Sequence, residues 1–75
     1  HKFEENGQNT LKIAEESVKL DSNQYNLDTL ATILAEMGRF KEAIKTEKDA
    51  IKKMKPGNLK EESLKKIENW EQKLK

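Results

Sequence analysis

The sequence has no cysteine, one proline, three glycines, one histidine and only four aromatic residues, Phe3, Tyr25, Phe40 and Trp70. Without cysteine there is no disulfide framework, no thiol nucleophile and no thiolate metal site, and the redox compartment is left open. The single histidine, His1, stands at the very start, where a tag residue or frayed end is a simpler reading than a site. No paired-histidine motif and no glycine-rich phosphate loop occurs. A charge of one sign is also lacking: 15 basic and 14 acidic residues leave a net charge of +1, so no strong field draws the chain to nucleic acid or an acidic membrane. No apolar run is long enough to span a bilayer, and no signal-peptide pattern is present.

What the chain does have is charge and periodicity. Charged residues make up 39% and hydrophobic residues 33%, a balance that by itself leans toward disorder. The apolar residues nevertheless fall on stripes at helical spacing, which argues for folding. Seventy-five residues make one small domain, 1–75, or a piece of a larger one. A chain this short buries only about 60% of its unfolded surface, so its core must be thin. The start at His1-Lys2-Phe3, without methionine, reads as a segment of a longer protein with His1 left by a tag.

Phe3-Glu4-Glu5 reads as the tail of an earlier helix or a frayed end, and Asn6-Gly7 as a turn. Asn9 or Thr10 can then cap a helix over 9–20, with Leu11, Ala14 and Val18 on one face and Ile13 and Leu20 on its flank. Asp21-Ser22-Asn23 breaks it, because these side chains compete for backbone hydrogen bonds. A second helix is expected over 25–37, capped by Asn26 or, starting earlier, by Asn23. Its stripe is Leu27, Leu30, Ala31, Leu34 and Met37, widened by Ile33, and Gly38 ends it in a left-handed conformation. A third helix runs from Phe40 to about Met54, with Phe40, Ala43, Ile44, Ala50, Ile51 and Met54 on its stripe and Glu47 interrupting it. The short link at Gly38-Arg39 makes the second and third helices an antiparallel hairpin. Pro56-Gly57 stops the third helix. Asn58, with Glu61 three residues on as in a capping box, begins a fourth over 58–75. Leu64, Ile67, Trp70 and Leu74 would form its narrow buried stripe, with Leu59 near the start.

The chain nearly repeats itself. Leu11, Ser17 and Val18 recur 33 residues later as Ile44, Ala50 and Ile51, while Leu30 and Ile33 recur 34 residues later as Leu64 and Ile67. A period near 34 in helix-turn-helix units resembles the tetratricopeptide repeat family. The likeness is residue-specific from Leu27 to Pro56: Leu27, Leu30, Ala31 and Leu34 match its first helix. Gly38 and Phe40 match its turn, Ala43 and Ala50 the small residues of its second helix, and Pro56, one residue late, its closing proline. Ala31, Ala43 and Ala50 would let helices approach toward the short end of the usual ~8–10 Å separation. Two features depart from the family pattern. Glu47 stands where an aromatic is usual, and Leu27 and Leu34 replace a tryptophan and a tyrosine. The resemblance implies an all-α, short antiparallel helical-hairpin array of three to four helices. It would comprise a half-repeat helix at 9–20, one full repeat at 25–56 and a capping helix at 58–75. More narrowly, Asn26-Leu27-Asp28-Thr29 entering the hairpin resembles repeats that follow thioredoxin-like domains in some bacterial proteins.

For function, the resemblance implies a non-enzymatic protein–protein interaction or scaffold module, with a protein or peptide partner lying on the face of the first helices. The matching positions are Tyr25, Asp28, Thr29, Thr32 and Glu36. Asp28 and Glu36 would repel a C-terminal carboxylate, so a basic or neutral segment is the expected ligand. The alternative is a structural element whose core is completed by a second copy or by an adjacent thioredoxin-like domain, with Phe3, Leu11 and Ile13 exposed at the open edge. No catalytic residue, metal ligand or cofactor site is expected. Adjacent carboxylates such as Glu15-Glu16 and Glu61-Glu62 point apart on a helix and cannot form an acid/base pair. Lysines of the second half are diluted by Asp49, Glu61, Glu62, Glu68 and Glu71 and carry no interleaved aromatics, which argues against nucleic acid.

Overall fold

A computed structural model describes residues 2–75, with side chains described from residue 9 onward; His1 and the side chain of Phe3 lie outside the described residues. The fold is all-α. Among the described residues four helices follow one another: α1 (Lys2–Leu20), α2 (Gln24–Glu36), α3 (Phe40–Lys52) and α4 (Asn58–Lys73). Each packs chiefly on its chain neighbour, α2 on α3 most extensively, then α4 on α3 and α1 on α2. This is a linear array of hairpins rather than a closed bundle. Its thinnest extent is only 16 Å, so burial depends on close helix contact rather than depth.

The tight places are the alanines. Ala31 on α2 and Ala43 and Ala50 on α3 are wholly buried. Around Ala31 and Ala43 gather Leu11 of α1, Leu34 of α2, Ile44 of α3, and Ile67 and Trp70 of α4, so one core is shared by all four helices. The turn between α2 and α3 is built as the glycine predicts. Gly38 has φ +82, the Gly38 N–H donates to the Ala35 carbonyl at 3.0 Å, and the Arg39 N–H donates to the Leu34 carbonyl at 2.9 Å. These two bonds form a Schellman termination that satisfies the last carbonyls of α2. Arg39 then makes a two-pronged pair with Glu42 in the first turn of α3, at 2.9 and 2.7 Å.

The other junctions are polar. Asn23 caps α2, its Oδ1 accepting the Asn26 N–H at 2.8 Å, so the earlier of the two cap positions is used. Asn26 instead closes the end of α1, donating from Nδ2 to the carbonyls of Asp21 at 2.7 Å and Ser17 at 3.3 Å. Lys53 joins the two chain turns on the same side by donating to the carbonyl and hydroxyl of Ser22.

Several expectations are corrected. Asn6-Gly7 is not a turn, since α1 runs through it from Lys2, and neither Asn9 nor Thr10 begins a helix. The turn preference of one dipeptide is only about 1 kcal/mol and is outweighed by continuing a helix that already packs on α2. Helix α3 ends at Lys52 rather than Met54, and Lys53 is its cap. No capping box opens α4: Asn58 is its first helical residue, Gly57 holds the cap position, and no side-chain cap bond forms. Leu11, expected at an exposed edge, is in the core, whereas Ile13 is exposed as expected. On α4, Leu59, Leu64 and Leu74 are exposed, and the buried face is Ser63, Ile67 and Trp70. The helix is rotated to put small Ser63 against the hairpin, next to Glu47 of α3.

Candidate functional site

Glu47 is the largest fully buried side chain among the described residues, with no solvent exposure. It lies midway along α3, between Ala43 and Ala50 on the same helical face, so any side chain at this position enters the core. Neither carboxyl oxygen has a hydrogen-bond partner. Burial pushes the Glu47 pKa up from the usual 4.5 to about 7. The Ser63 hydroxyl and Lys66 ammonium oppose the rise, and the Asp28 carboxyl adds to it. Ser63 is close enough to be felt but does not bond to Glu47; its hydroxyl is turned to the Met54 Sδ at 3.6 Å. Lys66 is similarly committed, its Nζ lying 3.0 Å from Asp28 Oδ1. That ion pair joins α2 to α4, and both partners remain partly exposed.

Three helices thus meet at a polar junction made of Asp28 from α2, Glu47 from α3, and Ser63 and Lys66 from α4. Beside it lies a cavity of about 60 Å³, with Tyr25, Asp28, Met54, Glu62, Ser63 and Lys66 in its wall. A wider, shallow groove of about 830 Å³ continues from it between the two chain turns, residues 21–25 and 53–59. Tyr25, Met54 and Leu59 supply its apolar surface, and Asp21, Lys53 and Lys55 its charges.

The five residues expected to meet a partner are only partly brought together. Tyr25, 68% exposed, and Asp28 both face the cavity toward α4. Thr29 faces the other way, into a groove of about 130 Å³ between α1 and α2 that also includes Ile13 and Ile33. Thr32 is half-buried and donates its hydroxyl to the Asp28 carbonyl at 2.9 Å, and Glu36 is exposed near the end of α2. Asp28 is not a free carboxylate awaiting a ligand, since Lys66 already pairs with it.

Glu47, Ser63 and Lys66 were not among the expected site residues. The signal for Glu47 was available in its spacing from Ala43, Ile44, Ala50 and Ile51. Hydropathy alone hides it, because a glutamate is normally assigned to solvent. Among the described residues no group of three or more potential acidic, histidine or cysteine ligands is gathered for a metal ion, and no helix is long and apolar enough to cross a membrane. No protein-family model matches the chain, and neither a curated protein nor a solved structure does.

Proposed function

We propose that the chain is a non-enzymatic, tetratricopeptide-like protein–protein interaction or scaffold module of a larger bacterial protein, taking a basic or neutral peptide segment along the side where α2 and α4 adjoin. The observation that carries this reading is the exposed Tyr25 beside the Asp28–Lys66 pair, at the mouth of a cavity that opens into the groove between the two chain turns. An aromatic ring with apolar neighbours and charges at its edge offers contact area at low entropic cost, as peptide-binding surfaces require. The linear stacking of hairpins, the tight turn at Gly38 and the buried alanines support the tetratricopeptide likeness.

The test is binding to an array of short peptides graded in charge. Tyr25→Ala combined with Glu36→Lys should abolish a preference for basic or neutral peptides while leaving helicity unchanged. Asp28 is left alone in this variant, because reversing its charge would set two cations against each other across α2 and α4. Equal binding by variant and unmodified chain removes the basis of the reading.

A second reading, an assembly element that completes its core with a second copy or an adjacent thioredoxin-like domain, draws support from α4. Leu64 and Leu74 are 49% and 45% exposed on α4, which among the described residues packs chiefly on α3. Light scattering over a range of concentrations separates the two: a mass that rises with concentration favours assembly, and a constant monomer mass excludes pairing with a second copy.

A further inference from the structure

The junction around Glu47 has a consequence that does not depend on what the chain binds. We propose that docking of α4 onto the α2–α3 hairpin is controlled by one proton on Glu47: the neutral carboxyl is held in the dry junction with α4 seated, and the carboxylate unseats it.

Four observations place the control there. Glu47 has no access to solvent and no hydrogen-bond partner for either oxygen, so an ionised form would be a buried charge with only partial compensation from its neighbours. The groups facing it from the packed helices offset that charge only in part, and less than burial raises its cost. Asp28 from α2 bears the same sign, Lys66 from α4 is held by Asp28, and the Ser63 hydroxyl from α4 is turned to Met54. Helix α4 has few buried side chains of its own, Ser63, Ile67 and Trp70, and packs chiefly on α3, so it is the element that can leave without opening the hairpin. Finally, the cavity wall contains Asp28, Ser63 and Lys66 but belongs mostly to α2 and α4, so separation of these helices admits water directly to the junction.

The direction follows from proton affinity. Seated, Glu47 keeps its proton up to about pH 7; unseated and hydrated, it loses the proton near the usual 4.5. Between those values the seated form binds more protons, so seating weakens as pH rises and levels off above about 7. The full change in the docking equilibrium is on the order of 300-fold, of which about 50-fold falls between pH 5 and 7.5. Below pH 5 other carboxylates titrate, so the informative window lies above it.

Trp70 is the only tryptophan, is buried, and sits on α4, so it reports seating directly. The experiment is acrylamide quenching of Trp70 in the full 75-residue chain from pH 5 to 8.5. It is combined with hydrogen exchange at the amides of Ile67 and Trp70 on α4 and of Ala43 and Ile44 on α3. The expected result is a several-fold rise in quenching with pH, and loss of exchange protection at the α4 amides on the order of 50-fold once the intrinsic pH dependence is removed. The α3 amides should lose far less. Glu47→Gln should hold Trp70 in one state across the range. A Trp70 signal that is flat in the unmodified chain, or that shifts equally in Glu47→Gln, overturns the proposal, as does parallel loss of protection on α3 and α4. Should Glu47→Gln fail to fold, the Glu47 carboxyl carbon followed by NMR in the unmodified chain decides: titration in the ordinary carboxylate range while α4 is seated refutes the proposal, and titration near neutrality that coincides with the α4 change upholds it.

Discussion

Replacing Ala43 by leucine tests whether the hairpin is held by close approach of helices or merely contains a small residue in spare room. Ala43 is wholly buried on α3, as are Ala31 on α2 and Ala50 further along α3. Leucine and alanine have similar helix propensity, so the substitution changes packing and little else. If there were room, three added carbons buried at ~0.8 kcal/mol each would stabilise the fold by about 2 kcal/mol. If α2 and α3 already touch through their alanines, the added atoms must force the helices apart or the side chain off its rotamer, at a cost of ~1–3 kcal/mol or more. The two accounts differ in sign, which makes the outcome decisive. Close approach predicts that Ala43→Leu lowers the urea midpoint and brings Tm down by roughly 4–24 °C, given ~4–8 °C per kcal/mol in a domain of this size. Lys45→Leu, on the exposed side of the same helix, serves as the control and should leave stability within ~0.5 kcal/mol. A neutral or stabilised Ala43→Leu protein, or a control that loses as much, would refute the close-packing account.

Three further outcomes follow from the same structure. The proton held by buried Glu47 should make the whole fold more stable in mild acid: at ~1.4 kcal/mol for each tenfold change in proton affinity, moving from 4.5 to about 7 corresponds to at most ~3 kcal/mol. That contribution is full below about pH 4.5 and gone above about 7, so urea midpoints should fall between pH 5 and 7.5, and a rise across that window would contradict the burial of Glu47. Gly38→Ala should cost ~1–2 kcal/mol in chemical denaturation, all of it from placing an L side chain at φ +82, because a Cβ there would meet nothing within 4 Å; Gly38→Asn should cost less. Asn23→Ala removes the α2 cap and should cost ~0.5–2 kcal/mol, with faster amide exchange at Asn26; unchanged exchange would show that the cap bond is not made in solution.

The parts of the fold that were legible in the sequence are those with a short-range physical cause. Gly38 stops α2 because the termination geometry needs a positive φ, and a glycine before an aromatic-led stripe announces it. Ala31, Ala43 and Ala50 recur at helical spacing among larger apolar residues, and all three are buried. What could not be read depends on where one helix sits against another. Leu64 and Leu74 carry the hydropathy of α4, yet Ser63 is buried in their stead, because rotation about the α4 axis is set by Trp70, Ile67 and the need for a small group opposite Glu47. Asn58 and Glu61 have the right identities for a capping box, but the chain enters α4 through Gly57, which places Asn58 one residue too far in. Tyr25 and Thr29 lie four apart on α2 and should share a face, yet one borders α4 and the other α1, because α2 is flanked on both sides.

Why a small core should carry a glutamate at its centre is answered by what the other choices would do. An alanine at position 47 would leave a void between α3 and α4, and in a fold only 16 Å thick each lost contact is a large part of the whole. A leucine would fill the space, but the junction also holds Asp28, Ser63 and Lys66, whose polar ends would then face hydrocarbon. A neutral carboxylic acid has the volume of a medium apolar side chain, and an O–H that can donate once a partner or a water comes within reach. Its cost is conditional on pH in a way that leucine's is not. The interior therefore adds little specificity to the α2–α3 hairpin, which alanines and Gly38 already determine. The conditional contact falls between the hairpin and α4, a helix whose own buried side chains are only Ser63, Ile67 and Trp70.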